Sequence, residues 1–125
     1  MSVPAPVKIR LRTKSRLLEV SFDDGACFEL PAEYLRVHSP SAEVQGHSAG
    51  ECVLVTGKEG VGIRTVEPVG LYAVRLVFDD GHDTGLYTWK YLRELGTERE
   101  ARWAAYLRRL AQAGHTRRDA TSAGA

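Results

Sequence analysis

Cysteine is nearly absent: Cys27 and Cys52 are the only two, and neither belongs to a Cys-x-x-Cys pair. A disulfide scaffold or a redox couple is therefore not expected, and two reduced, buried thiols are. An excess of charge of one sign is also missing, because 17 Lys and Arg stand against 16 Asp and Glu, leaving a formal net charge of +1. That balance gives no whole-molecule attraction to nucleic acid or anionic lipid, and either would need a local patch. No run approaches the roughly 18 apolar residues that cross a bilayer, so no membrane association is expected. The first residues lack the basic-then-apolar order of a secretory leader, which makes the cytoplasm the expected compartment.

What is present suits an ordinary globular protein: 43% hydrophobic and 26% charged residues over 125 positions, enough for one core and too little for two. Residues 1–6, with two of the five prolines, read as a flexible lead-in. Residues 7–114 read as a single domain and 115–125, which lack periodicity, as a disordered tail.

Val7, Ile9 and Leu11 alternate with Lys8, Arg10 and Arg12, the period-2 pattern of a strand with one dry face. Leu18, Val20 and Phe22 repeat it before Asp23-Asp24-Gly25, and Ala26, Phe28 and Leu30 resume it afterwards. A hairpin turning at Asp24-Gly25 accounts for both, since glycine supplies the positive φ that tight hairpins require. Pro31 ends that strand and opens a short helix over Ala32 to Val37. His38 to Gly50 reads as a long loop, the kind of segment in which function concentrates. Further strands are expected at Cys52 to Val55, Val61 to Val66 and Leu71 to Phe78, the last with Tyr72, Val74, Leu76 and Phe78 on one face. Thr97 and Glu100 have the spacing of a capping box, which predicts a final helix over 97–113 docking through Trp103, Leu107 and Leu110.

An internal repeat organises these elements. Phe22-Asp23-Asp24-Gly25 followed by Tyr34-Leu35-Arg36 recurs as Phe78-Asp79-Asp80-Gly81 followed by Tyr91-Leu92-Arg93. The offset is 56 at the glycines and 57 at the arginines, so one residue is inserted in the second copy. Each copy reads as a hairpin followed by a short helix, which cannot bury its apolar faces alone but can do so against its twin. The expected fold is therefore α+β: a mostly antiparallel sheet built from two related hairpin–helix units, with a C-terminal helix packed on it.

Tyr34-Leu35-Arg36-Val37, Pro68 to Ala73, Asp80-Gly81-His82-Asp83-Thr84-Gly85-Leu86-Tyr87 and Tyr91-Leu92-Arg93 resemble the gamma-butyrobetaine hydroxylase N-terminal-like domain, over about Val7 to Leu95. The resemblance implies a domain that occurs alone in bacteria as a protein of unknown function. It also occurs at the N-terminus of carnitine-pathway oxygenases, with a similar domain appended to some iron–sulfur-carrier ATPases. Family members with a metal carry Cys-Pro-Cys-x-x-Cys after the Leu-Arg and a histidine after the second turn. Here Ser39, Ser41 and Val44 stand at the cysteine positions around Pro40, while His82 stands at the histidine. Hydroxyl and isopropyl groups do not replace thiolates, so the resemblance implies the fold and a degenerate site without zinc or another cofactor.

The remaining signals are weighed against simpler structural roles. His82 and His38, with His47 and Cys52, could hold a metal if they converged, but their spacing matches no compact ligand motif. None of the histidines is followed two places on by a carboxylate, so the iron centre of a 2-oxoglutarate oxygenase is not encoded. Gly57-Lys58-Glu59-Gly60-Val61-Gly62 lacks the closing Gly-Lys-Ser/Thr of a phosphate loop and reads as a hairpin turn. Lys8, Arg10, Arg12, Lys14 and Arg16 could contact phosphate, but a cationic row also protects an edge strand, and nucleic acid is not the expected partner.

The candidate binding residues are His82, Asp83, Tyr87, Trp89, Arg36 and His38, with Tyr87 and Trp89 as an exposed aromatic patch. No catalytic residue is assigned. The expected function is a non-catalytic binding or accessory domain for a protein partner, linked through the resemblance to an oxygenase or iron–sulfur pathway. The alternatives are a metal-binding subunit of a related oxidoreductase and nucleic-acid binding through the basic strand.

Overall fold

The computed structural model of the chain describes residues 6–40, 56–83 and 85–114. The alternating segments form strands: β1 (Pro6–Arg12), β2 (Leu17–Phe22) and β3 (Cys27–Pro31) pair antiparallel in that order, and α1 (Ala32–Val37) follows directly. Register sets the buried face. Ile9 lies opposite Val20 and Val20 opposite Phe28, while Leu11 lies opposite Leu18 and Leu18 opposite Leu30. Leu18, Val20 and Leu30 are fully buried. Pro31 is the N-cap of α1 in an extended conformation, which its fixed φ favours.

The second unit repeats the first: β4 (Ile63–Val69), β5 (Ala73–Phe78) and β6 (Leu86–Thr88) form another antiparallel sheet in that order, followed by α2 (Trp89–Thr97). The duplication is therefore larger than a hairpin and a helix, since each unit is a three-stranded meander plus helix. Even an irregularity is shared: pairing shifts register between Pro6 and Lys8 in β1 and between Ile63 and Thr65 in β4. Both hairpin turns are built alike. Gly25 and Gly81 adopt φ of +92° and +94°, and the Asp24 and Asp80 Oδ1 atoms accept from the backbone N–H of Ala26 and His82. This local bonding is the reason for Asp-Gly at both turns.

Several boundaries differ from expectation. β4 starts at Ile63 instead of Val61: the Asp79 N–H still reaches the Gly62 carbonyl at 2.9 Å, but the Val61 N–H is turned back to the Lys58 carbonyl. β5 starts at Ala73, so Tyr72 does not share the inward face with Val74, Leu76 and Phe78. The preceding turn uses Gly70 at φ +58° and is held by Trp89, whose N–H and Nε1–H donate to the Tyr72 and Leu71 carbonyls. The final helix is α3 (Arg99–Gln112), and Thr97 does not cap it. Thr97 closes α2, returning its hydroxyl to the Arg93 carbonyl, and the N-cap of α3 is Glu98 without a side-chain bond. The docking face of α3 is also shifted: Tyr106 and Leu110 are buried with Val37, Trp103 joins them, and Leu107 faces outward.

One core joins the units, drawing Leu18, Val20, Leu30 and Leu35 from the first and Leu76, Phe78, Leu92 and Leu95 from the second. Each such side chain contributes about 1.5–3 kcal/mol on burial, and neither unit covers its apolar face alone. Among the described residues no helix is long and apolar enough to cross a membrane. The expected strand at Cys52 to Val55, most of the His38 to Gly50 loop, the first five residues of the lead-in and the 115–125 tail lie outside the described residues.

Candidate functional site

The end of α1 and the second hairpin turn bring two of the family-position residues together. Ser39 Oγ lies 2.9 Å from His82 Nε2, and both residues are buried. Ser39 also bonds Tyr87, whose hydroxyl donates to the Leu35 carbonyl. Because the Tyr87 proton is committed there, its oxygen is left to accept from Ser39, and Ser39 to accept from the His82 N–H. Burial raises the Tyr87 hydroxyl pKa far above its ordinary value, so the phenol stays neutral. Gly85 makes the room: a Cβ there would overlap Ser39 Oγ and approach Pro40 Cδ to 3.3 Å.

Beside this pair lies a charged cluster centred on Asp80. Arg36 Nε reaches Asp80 Oδ2 at 2.9 Å, and Lys58 Nζ reaches the same oxygen at 2.6 Å. Burial works to raise the Asp80 pKa, but bonds from Lys58, the His82 N–H and Arg36 more than offset it and hold the carboxyl down at about 2. Arg36 Nη1 is buried and makes no hydrogen bond. The shallow depression here is lined by Gly57, Lys58, Gly60, Val61, Asp79 and Asp80. Gly57 at φ +74° and the Val61 N–H bonded to the Lys58 carbonyl form a turn that enters a strand, as the sequence suggested. Lys58 and Asp80 were not among the expected binding residues: Asp80 stood in the repeat and in the family motif, and Lys58 in the glycine-rich run read as a turn.

Other candidates are drawn elsewhere. His38 does not face His82: its Nδ1 lies 3.0 Å from the Tyr34 carbonyl, and its ring packs on Tyr34 and Tyr106. Burial, opposed by that backbone bond and assisted by Arg102 and Arg109, lowers its pKa. Among the described residues, no three or more His, Cys, Asp or Glu gather as a metal cluster. The expected exposed aromatic patch is corrected as well. Tyr87 is fully buried, and Trp89 is half-buried with its Nε1 committed to the Leu71 carbonyl. Asp83 is half-buried next to His82. Cys27, expected to be buried, is exposed on the solvent face of β3. Ser41, Val44, His47 and Cys52 lie outside the described residues. On β1 the basic row is interleaved with acid: Arg10 lies opposite Glu19, Glu19 opposite Glu29, and Arg12 pairs with Glu19 at 3.3 Å.

The equivalent place in the first unit shows what is special here. Ala26 stands where His82 stands, Phe28 where Gly85 stands, and Gly96 where Ser39 stands. A Cβ on Gly96 would lie 2.5 Å from the Phe28 ring. The first copy thus fills the space with an aromatic ring and the second with a hydrogen-bonded serine and histidine.

Comparison with known proteins fits this geometry. No curated protein matches the chain. Two proteins whose structures were determined by NMR in solution are similar, at 52% and 54% identity. The matches cover 93% and 91% of this chain and 91% and 85% of the others, with TM-scores of 0.81 and 0.79. A crystal structure of a protein of unknown function from Acidithiobacillus ferrooxidans, assigned to the DUF971 family, is 46% identical over 73% of this chain and 91% of that one, with a TM-score of 0.61. The family model described as gamma-butyrobetaine hydroxylase-like, N-terminal, matches residues 9–93. With the twin meanders, the Ser39–His82 pair and these similarities taken together, the chain belongs to the gamma-butyrobetaine hydroxylase-like N-terminal family.

Proposed function

We propose that the chain is a non-catalytic accessory domain that engages a protein partner through the second hairpin turn and the Arg36–Asp80–Lys58 cluster beside it. One observation carries this: the side chains at the family's metal positions are bonded to each other, Ser39 Oγ to His82 Nε2 at 2.9 Å, within a buried hydrogen-bonded chain. Zinc does not suit these donors, because a serine hydroxyl does not ionise near neutral pH and both atoms are already satisfied internally. Beside the turn's half-buried Asp83, the paired Lys58 and Asp80 form a mixed-charge rim of the kind that sets orientation and on-rate in protein association. The appearance of related domains beside oxygenase and iron–sulfur carrier domains makes a partner from those systems the first to try.

Two measurements on the purified full chain test the proposal. Elemental analysis is expected to find no stoichiometric metal and no difference between wild type and His82→Ala, whereas zinc or iron lost on that substitution would favour the metal-binding alternative. Capture of a partner by wild type is expected to weaken with Asp83→Lys and Lys58→Glu. Equal retention by both variants would remove this surface from consideration.

A further inference from the structure

The bonds that tie the two halves together come in matched pairs. Tyr34 donates its hydroxyl to the Leu95 carbonyl at 2.7 Å, and Tyr91 donates its own to the His38 carbonyl. In each case the acceptor lies four residues beyond the other helix's tyrosine. Arg93 grips Asp24 with two bonds, Nη1 to Oδ1 at 3.0 Å and Nη2 to Oδ2 at 2.7 Å, while Arg36 grips Asp80 at 2.9 Å. Thus each helix's arginine clasps the other half's hairpin turn. When residue i of one half meets j of the other, and the counterpart of j meets the counterpart of i, the contact is isologous, as in a twofold dimer. Here that interface lies within one chain.

An isologous contact is satisfied equally by a half from the same chain or from another. Residues 6–40 and 56–114 share one core, and residues 41–55 connect them. A chain of that length can span at most roughly 50 Å, enough to reach a half in a neighbouring molecule.

We propose that the partner this interface fits is a second copy of the chain, in a dimer that exchanges halves: residues 6–40 of one copy packed on 56–114 of the other, and the reverse. Every tyrosine and arginine bond named above is retained in that dimer. The balance with monomer is then set by concentration, because a covalent connection holds a chain's own half at an effective concentration on the order of millimolar. Monomer prevails when the protein folds at micromolar concentration, and the exchanged dimer accumulates when copies fold together near millimolar. Exchange requires the shared core to open, so each form persists once made.

Charge reversal at the more exposed clasp tests this with full-length chains. Asp24→Arg and Arg93→Asp each place like charges at that clasp within a monomer. In an exchanged dimer of one copy of each, one clasp is native and the other pairs the two substituted positions with opposite charge. Unfolded together and refolded at about 1 mM, the mixture is expected to yield about tenfold more dimer than either variant alone, with one copy of each by native mass spectrometry. Monomer only, or dimers with the variants distributed at random, would overturn the proposal. Wild type gives an independent arm should either variant fold poorly. Two mass-labelled preparations are expected to form mixed dimers only after co-refolding, and these should survive dilution. Mixed dimers that form without unfolding and separate at once on dilution would indicate an ordinary surface contact and sink the exchange.

Discussion

Gly85 matches Phe28 and Gly96 matches Ser39, so the two glycines take opposite sides of the same repeated contact, and their neighbours differ in kind. Gly96 lies under the Phe28 ring, whereas Gly85 lies against Ser39. A buried serine with its hydroxyl between a histidine and a tyrosine has little freedom to retreat, because moving it leaves polar groups unpaired in the interior. Gly85→Ala is therefore expected to destabilise the protein by about 1–3 kcal/mol, as read by urea denaturation. Removing the clashing oxygen with Ser39→Ala should make the pair of substitutions non-additive, the double variant losing less than the sum of the singles. Simple additivity would show that Gly85 and Ser39 do not press on each other. The family pattern marked Ser39 and His82 as counterparts of metal ligands, but nothing local to either residue said that Gly85 makes space for the bond between them.

At the scale of elements, the helices illustrate how a local motif can mislead. Thr97 and Glu100 have the spacing of a capping box, but the chain around them is already helical on the N-terminal side. α2 runs from Trp89 to Thr97, and Thr97 bonds backward to carbonyls of its own last turn. The true cap is Thr88, whose Oγ1 accepts from the Tyr91 N–H at 3.1 Å. Thr88→Ala should cost about 1 kcal/mol, and Thr97→Ala should stay within about 0.5 kcal/mol. Thermal unfolding of the two variants distinguishes them, and the reverse order would restore the capping box. Thr88 was missed because an N-cap is recognised by the helix that follows it, and Trp89-Lys90-Tyr91 reads as strand as readily as helix.

Across the whole molecule, the reciprocal clasps give stability a pH dependence. The Asp80 carboxyl is held at about 2, and Asp24 is lowered chiefly by its bonds from Arg93. A carboxyl depressed in the folded state contributes stability that is complete above its ordinary value of roughly 4 and is lost as the pH falls through the folded value. Wild type should therefore lose stability progressively between about pH 4 and 2, and Asp80→Asn should lose less over the same interval. Urea midpoints at successive pH values check this; parallel decline of the two proteins would show that the Asp80 clasp does not stabilise the fold.

The sequence by itself determined the local units and their duplication. Alternating apolar residues, Asp-Gly turns and the Tyr-Leu-Arg segments each act through neighbours a few positions away, so their spacing along the chain is sufficient to read them. Tertiary structure alone decided which turn meets which helix: that Arg36 reaches Asp80 and Arg93 reaches Asp24, that Tyr87 is buried while Lys58 joins the cluster, and that His38 turns from His82 toward Tyr106. Those pairings depend on how two meanders pack over one core, and contacts between residues 44 or 69 positions apart leave no periodicity in the chain.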